Sequence, residues 1–170
     1  MALIKTVRGF TPEHGENCYF AENATIVGDV KMGNDCSIWF SAVVRGDVNA
    51  IRIGNKVNIQ DGAIIHGTNG KGDTVLGDHV SVGHRAIIHG CKIEDNVLIG
   101  MGAIVLDDVV VPSNTIIAAG ALVPSNARLE SGFIYAGTPA KKLRALDPAF
   151  AKLYIDGTAN GYVGYKEYYK

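Results

Sequence analysis

The sequence predicts an all-β fold: a left-handed parallel β-helix of hexapeptide repeats, shaped like a triangular prism and finished by a C-terminal α-helix. Three observations carry this reading. The first is composition: 21 glycines accompany 43 Ile, Val and Leu in 170 residues, a mixture that suits short strands broken by many turns better than a long amphipathic helix or a linker. The second is a period of six, with aliphatic residues at Ile93, Ile99, Val105, Val111, Ile117 and Val123. The third is a small or branched residue four positions after most of the marked ones, as at Ala42, Val57, Ala63, Val80, Ala86, Val97, Ala103 and Ala121. A period of six fits neither the 3.6 of a helix nor the 2 of a flat sheet. It fits a coil with three short strands per turn, the marked aliphatic inward and Gly, Asn or Asp at the corners. Hexapeptide coils of this kind wind left-handed, against the usual crossover rule.

Upstream the same column reads Phe20, Ile26, Met32, Ile38, Val44, then Ile53, Ile59, Ile65, then Leu76, Val82, Ile88. The period breaks by three extra residues before Ile53, five before Leu76, and one too few before Ile93. After Val123 it fades through Pro124. Thr138 and Pro139 read as an N-cap and first helical residue, and Asp147-Pro148 repeats that pattern ahead of Ala149 to Ile155. The expectation is a single domain, with the β-helix over about 10–130 and a helical segment over about 138–170 that covers one apolar face of the prism.

Charge and targeting signals exclude several function classes. Sixteen Lys and Arg against 17 Asp and Glu leave a net charge of −1, so neither nucleic acid nor an anionic membrane surface is an expected partner. Apolar runs such as Val109 to Val111 are too short to span a bilayer, and Met1 to Lys5 lack the pattern of a signal peptide. Three cysteines at unrelated spacings, Cys18, Cys36 and Cys91, favour a reducing cytoplasmic compartment.

The chemistry gathers where the repeat is most disturbed. With three strands per turn, Ile59 and Val82 fall on one face, A, and Val44, Ile65 and Ile88 on the next, B. His66 and His89 each follow the inward residue of a B strand, so they point outward, one coil apart at about 4.8 Å. That spacing suits two imidazoles on one metal ion. His84 lies on face A, round a corner, so a neighbouring chain's His84 is better placed to complete the site. The same spacing sets Arg45 below His66 and Asp61 below His84. If face A of one chain meets face B of the next, an Arg45–Asp61 pair and a three-histidine site form at one seam, and three such seams close a ring. Gln60 is then a hydrogen-bonding group near the ion. Three neutral nitrogen ligands with an open position are the composition of a catalytic zinc site. Cys91 reads as packing rather than a fourth ligand. Trp39 is expected to be covered by a helix or a neighbour, and Tyr162, Tyr165, Tyr168 and Tyr169 to pack the terminal helix, with one tyrosine reaching the seam.

The strings Arg45-Gly46-Asp47, Ile53-Gly54, Asn58-Ile59-Gln60-Asp61, His66, Gly83-His84 and Ile88-His89-Gly90-Cys91 resemble the gamma-class carbonic anhydrase-like family, from about Phe20 to Pro139. The resemblance implies a homotrimer in which His66 and His89 of one chain join His84 of the next around zinc, with iron or cobalt as alternatives. It implies an Arg45–Asp61 pair across the seam with Asp47 nearby, and Gln60 against the bound water or bicarbonate. Asn58, in the same string, and Tyr162 of the tail are further candidate site residues. The implied activity is reversible hydration of carbon dioxide to bicarbonate. The alternatives are a metal-dependent thioester hydrolase acting on acyl-coenzyme A, a hexapeptide acyltransferase, and a structural trimer. The chain departs from the best-known members at Val48, where they carry glutamate, and in the loop 67–73, which contains no glutamate to shuttle protons.

Overall fold

A computed structural model describes residues 1–169. The chain winds as a parallel β-helix whose strands stack coil upon coil into three faces. Face A runs from Tyr19–Phe20 through Ser37–Ile38, Asn58–Ile59, Ser81–Val82 and Val97–Ile99 to Thr115–Ile117. Face B takes the first halves of Thr25–Met32 and Val43–Ile53, followed by Ile64–His66, Ile87–His89, Ile104–Val105 and Leu122–Val123. Face C takes the second halves of the two long strands, then Thr74–Leu76, Lys92–Ile93 and Val110–Val111.

The period-six column is the core. Ile93, Ile99, Val105, Val111, Ile117 and Val123 are all fully buried, and so are Ala42, Val57, Ala63, Val80, Ala86 and Ala103 four positions after their respective column residues. Larger aliphatics fill each face and smaller residues fill each corner, forming one continuous core cluster. All three interruptions of the period fall at the edge between faces B and C. Gly28 pairs with Gly46 and Val30 with Ile51, so Asp47 to Ala50 loop out of the ladder. Only glycine fits there: Gly28 has φ +79°, and a Cβ on it would stand 2.2 Å from the Gly46 carbonyl oxygen. The second interruption, 67–73, is tied down from both sides. Asn49 Nδ2 donates to the carbonyls of Thr68 and Gly72, and Lys71 Nζ lies 2.7 Å from Asp108 Oδ2.

The C-terminus differs in part from the expectation. Thr138 and Pro139 do not start a helix. Phe133–Ala136 extends face A beside Thr115–Ile117, and Lys141–Ala145 folds back on it as an antiparallel strand, with Thr138-Pro139 in the turn between them. The open edge of the sheet offers a ladder of unpaired groups that this hairpin satisfies. The helix begins instead at Pro148, where the Asp147 side chain accepts from the Ala149 and Phe150 amides. It continues as one helix to Tyr165, through a π-helical turn at Lys152–Asp156, and ends in a 3₁₀ turn at Lys166–Tyr169. It packs on face A, with Ile155 against Ile116 and Ile134. Among the described residues no helix is long and apolar enough to cross a membrane.

Candidate metal centre

Parallel register sets His66 directly beside His89, with ring centroids 5.3 Å apart, on the outside of face B. The strand bearing His66 is paired with the one bearing Arg45, through Val44 and Ile65. Arg45 Nη1 donates to Asp47 Oδ2 at 2.5 Å, and His66 Nε2 donates to Asp47 Oδ1 at 3.0 Å. The outward loop at Asp47 therefore places one carboxylate between a guanidinium and an imidazole. Burial opposes ionisation of Asp47, but the hydrogen bonds from Arg45 and His66 outweigh it and hold its carboxyl below the usual range.

His89 is oriented by a residue the sequence reading missed. Its Nδ1 donates to Asp107 Oδ2 at 3.0 Å, one coil further along. Burial again opposes ionisation of Asp107, and hydrogen bonds from Thr68 and His89 hold it anionic. The available signal was positional: Val105 lies beside Ile88, which puts the carboxylate two residues past Val105 near His89.

His84 stands apart, on the face A side, where it is 44% exposed and its Nδ1 lies 2.8 Å from Asp61 Oδ2. Within the chain, Arg45 pairs with Asp47 and Asp61 with His84, so the expected Arg45–Asp61 pair is not an intrachain contact. Gln60 is buried and donates from Nε2 to Asn58 Oδ1 at 2.9 Å, and Asn58 donates in turn to Ser81 Oγ at 2.7 Å. Tyr162 and Asp61 line one cavity of about 250 Å³ with Trp39, Phe40 and three further tyrosines. Burial, reinforced by Asp61, pushes the Tyr162 hydroxyl up to about 12. Trp39 is covered as expected, by Tyr19, Tyr162 and Tyr169. Cys91 is a buried core residue.

Within one chain, among the described residues, no three His, Cys, Asp or Glu side chains come close enough to hold a metal ion. The donor chemistry nevertheless fits one. Each of His66, His84 and His89 has one ring nitrogen within 3.0 Å of a carboxylate oxygen, which fixes the ring and leaves the other nitrogen for a metal.

Residues 90–125 match the family model described as bacterial transferase hexapeptide (six repeats). A protein named carbonic anhydrase from Geobacillus kaustophilus is 45% identical, over 85% of this chain and 79% of its own length. The chain belongs to the gamma-class carbonic anhydrase-like family. A second relative, gamma carbonic anhydrase 2, mitochondrial, of Arabidopsis thaliana, is 42% identical over 90% of this chain and 56% of its own. The fold is shared as well: the crystal structure of a hexapeptide transferase family protein from Anaplasma phagocytophilum superimposes with a TM-score of 0.93. It is 37% identical and covers 99% of this chain and 98% of that one. Membership of the family, with relatives named carbonic anhydrase, supports that general activity and a metal cofactor for this chain.

Proposed function

We propose that three copies of the chain assemble head to tail and that each seam holds one zinc ion between His66 and His89 of one protomer and His84 of the next, for reversible hydration of carbon dioxide to bicarbonate. The observation that carries this reading is the division of three carboxylate-oriented histidines between two faces: two on face B, one on the face A side. A second observation supports assembly. The outside of face B carries a ladder of aliphatics, Val43, Ile64, Ile87, Ile104 and Leu122, in register beside the histidine column. Such a stripe is an interaction surface.

A divalent ion held by neutral imidazoles supplies the Lewis acidity that makes hydroxide available from water near pH 7. The chain's own residues do the rest. Asp47 and Asp107 accept the ring protons of His66 and His89 and so keep the opposite nitrogens free to ligate. Arg45 holds Asp47 in place. Gln60, its carboxamide oriented by Asn58, supplies a neutral hydrogen-bonding group for bicarbonate.

A second reading has its own support. The aromatic cavity beside Asp61, of about 250 Å³, gives room for an electrophile larger than carbon dioxide, such as a thioester. Metal-loaded protein assayed for both reactions separates the two. Hydration should be measurable and should rise in proportion to added imidazole buffer, because Val48 and the loop 67–73 supply no glutamate shuttle. Metal-dependent thioester hydrolysis with background hydration would transfer the assignment to the second reading. A metal-loaded trimer inactive in both assays would leave a structural role.

A further inference from the structure

Away from the histidines, the prism brings two cysteines together at the corner between faces C and A. Tyr19 pairs with Ser37, and the Tyr19 amide donates to the Cys36 carbonyl at 2.9 Å, so Cys18 lies directly beside Cys36 on the neighbouring coil. Adjacent strands stand about 4.8 Å apart, within the Cα separation of about 4.4–6.8 Å that a disulfide spans. The two thiols turn the same way: Cys18 Sγ donates to the Gly33 carbonyl at 3.3 Å and Cys36 Sγ to the Gly54 carbonyl, one coil on, at 3.1 Å.

The surroundings make the two sulfurs unequal. Lys166, wholly buried at the end of the tail, donates from Nζ to the Asn17 carbonyl and to Asp35 Oδ1 at 3.3 Å, touching the residue before each cysteine. Cys18 is half-buried and Cys36 fully buried. The hydrogen bond from Cys36 lowers the Cys18 thiol to about 6 against the opposing effect of burial, with His14 and Lys166 assisting, while Cys36 is pushed up. Cys91, deep in the core, is pushed up to about 12 by burial and is the chain's internal unreactive thiol.

We propose that Cys18 and Cys36 form a reversible disulfide by exchange with a low-molecular-weight disulfide of the glutathione class, Cys18 attacking and Cys36 resolving. The Cys18 thiolate attacks one sulfur of the oxidised reagent, forming a mixed disulfide and expelling one small thiolate. Cys36 then attacks the Cys18 sulfur, forming the Cys18–Cys36 bond and expelling the second, which takes up the Cys36 proton. Two protein thiols are oxidised and one small disulfide is reduced to two thiols. The new bond would fasten the two coils on whose turns Lys166 seats the C-terminal tail.

The test treats the full-length reduced protein with oxidised glutathione, alkylates the remaining thiols and maps peptides by mass spectrometry. The expected product links Cys18 to Cys36, leaves Cys91 alkylated, and returns to free thiols with dithiothreitol. Cys36→Ser should stop at a stable glutathione adduct on Cys18, and Cys18→Ser should leave Cys36 unmodified. Wild-type protein that keeps the Cys18 adduct without forming the link, that links Cys91, or that does not react overturns the proposal. Modification of Cys36 in Cys18→Ser as fast as in wild type overturns the assigned order of attack.

Discussion

His89 donates from Nδ1 to Asp107 Oδ2 at 3.0 Å, joining two successive coils of the prism across the corner made by Gly90. Gly90 has φ +57°, and a Cβ on it would stand 2.1 Å from Asp107 Oδ1. The glycine in the repeat that is one residue short therefore also leaves space for the carboxylate that orients His89.

Asp107→Asn keeps the shape of the side chain and removes its charge. Loss of such an orienting partner lowers metal affinity by about 10- to 100-fold. Competition against a chelator should show that loss with the trimer intact. Unchanged affinity would make Asp107 a packing residue.

Arg45→Ala acts through Asp47, since the guanidinium and His66 share that carboxylate. Arg45 and Asp47 are partly exposed, so the pair itself contributes only about 0–1 kcal/mol to stability. The expected effect is instead a fall of about tenfold in metal affinity through the freed Asp47, with little change in melting temperature. A large stability loss with normal metal binding would contradict this.

Much of this arrangement was legible in the sequence because the period of six is a direct image of the prism. Once Ile65 and Ile88 are placed inward on one face, His66 and His89 must stack outside it, and His84 must lie around the corner. Partners that depend on departures from the period were not legible. Asp47 sits on looped-out residues whose path is set by the Gly28–Gly46 approach, and its pairing with Arg45 has no regular register to predict it. The Thr138-Pro139 helix start failed because local capping preference competes there with an open sheet edge that Phe133–Ala136 and Lys141–Ala145 fill.

Ile64, the second of five residues in the aliphatic ladder on face B, is 40% exposed. If that ladder is the seam, Ile64→Asp places a carboxylate in an apolar interface, which costs more than the ~1–3 kcal/mol of an unpaired neutral polar group and should raise the dissociation constant by about tenfold or more per seam. Sedimentation on dilution should show smaller species for the variant than for wild type. Identical behaviour would move the interface elsewhere.

Asp35 accepts from Asn17, and this bond, followed by Lys166, lowers its pKa from the ordinary 3.8 despite opposing burial. A carboxyl whose folded pKa is depressed adds stability that is present above the unfolded value and is lost as pH falls through the folded one. Asp35→Asn should therefore lower the melting temperature at neutral pH, and the gap from wild type should close below about pH 4. A gap that persists into strong acid would mean that the bond, not the charge, is what matters.

If each metal site is divided between two chains, mixing two variants that each lack one share of the ligands should restore it. His84→Ala keeps the two face B ligands and His89→Ala keeps the face A ligand, so neither variant alone should retain metal. After unfolding and refolding together, mixed trimers should recover one intact site each, seen as tightly bound zinc in the mixture and not in either parent. A mixture as metal-free as its parents, or full metal retention by either variant alone, would contradict a site shared across the seam.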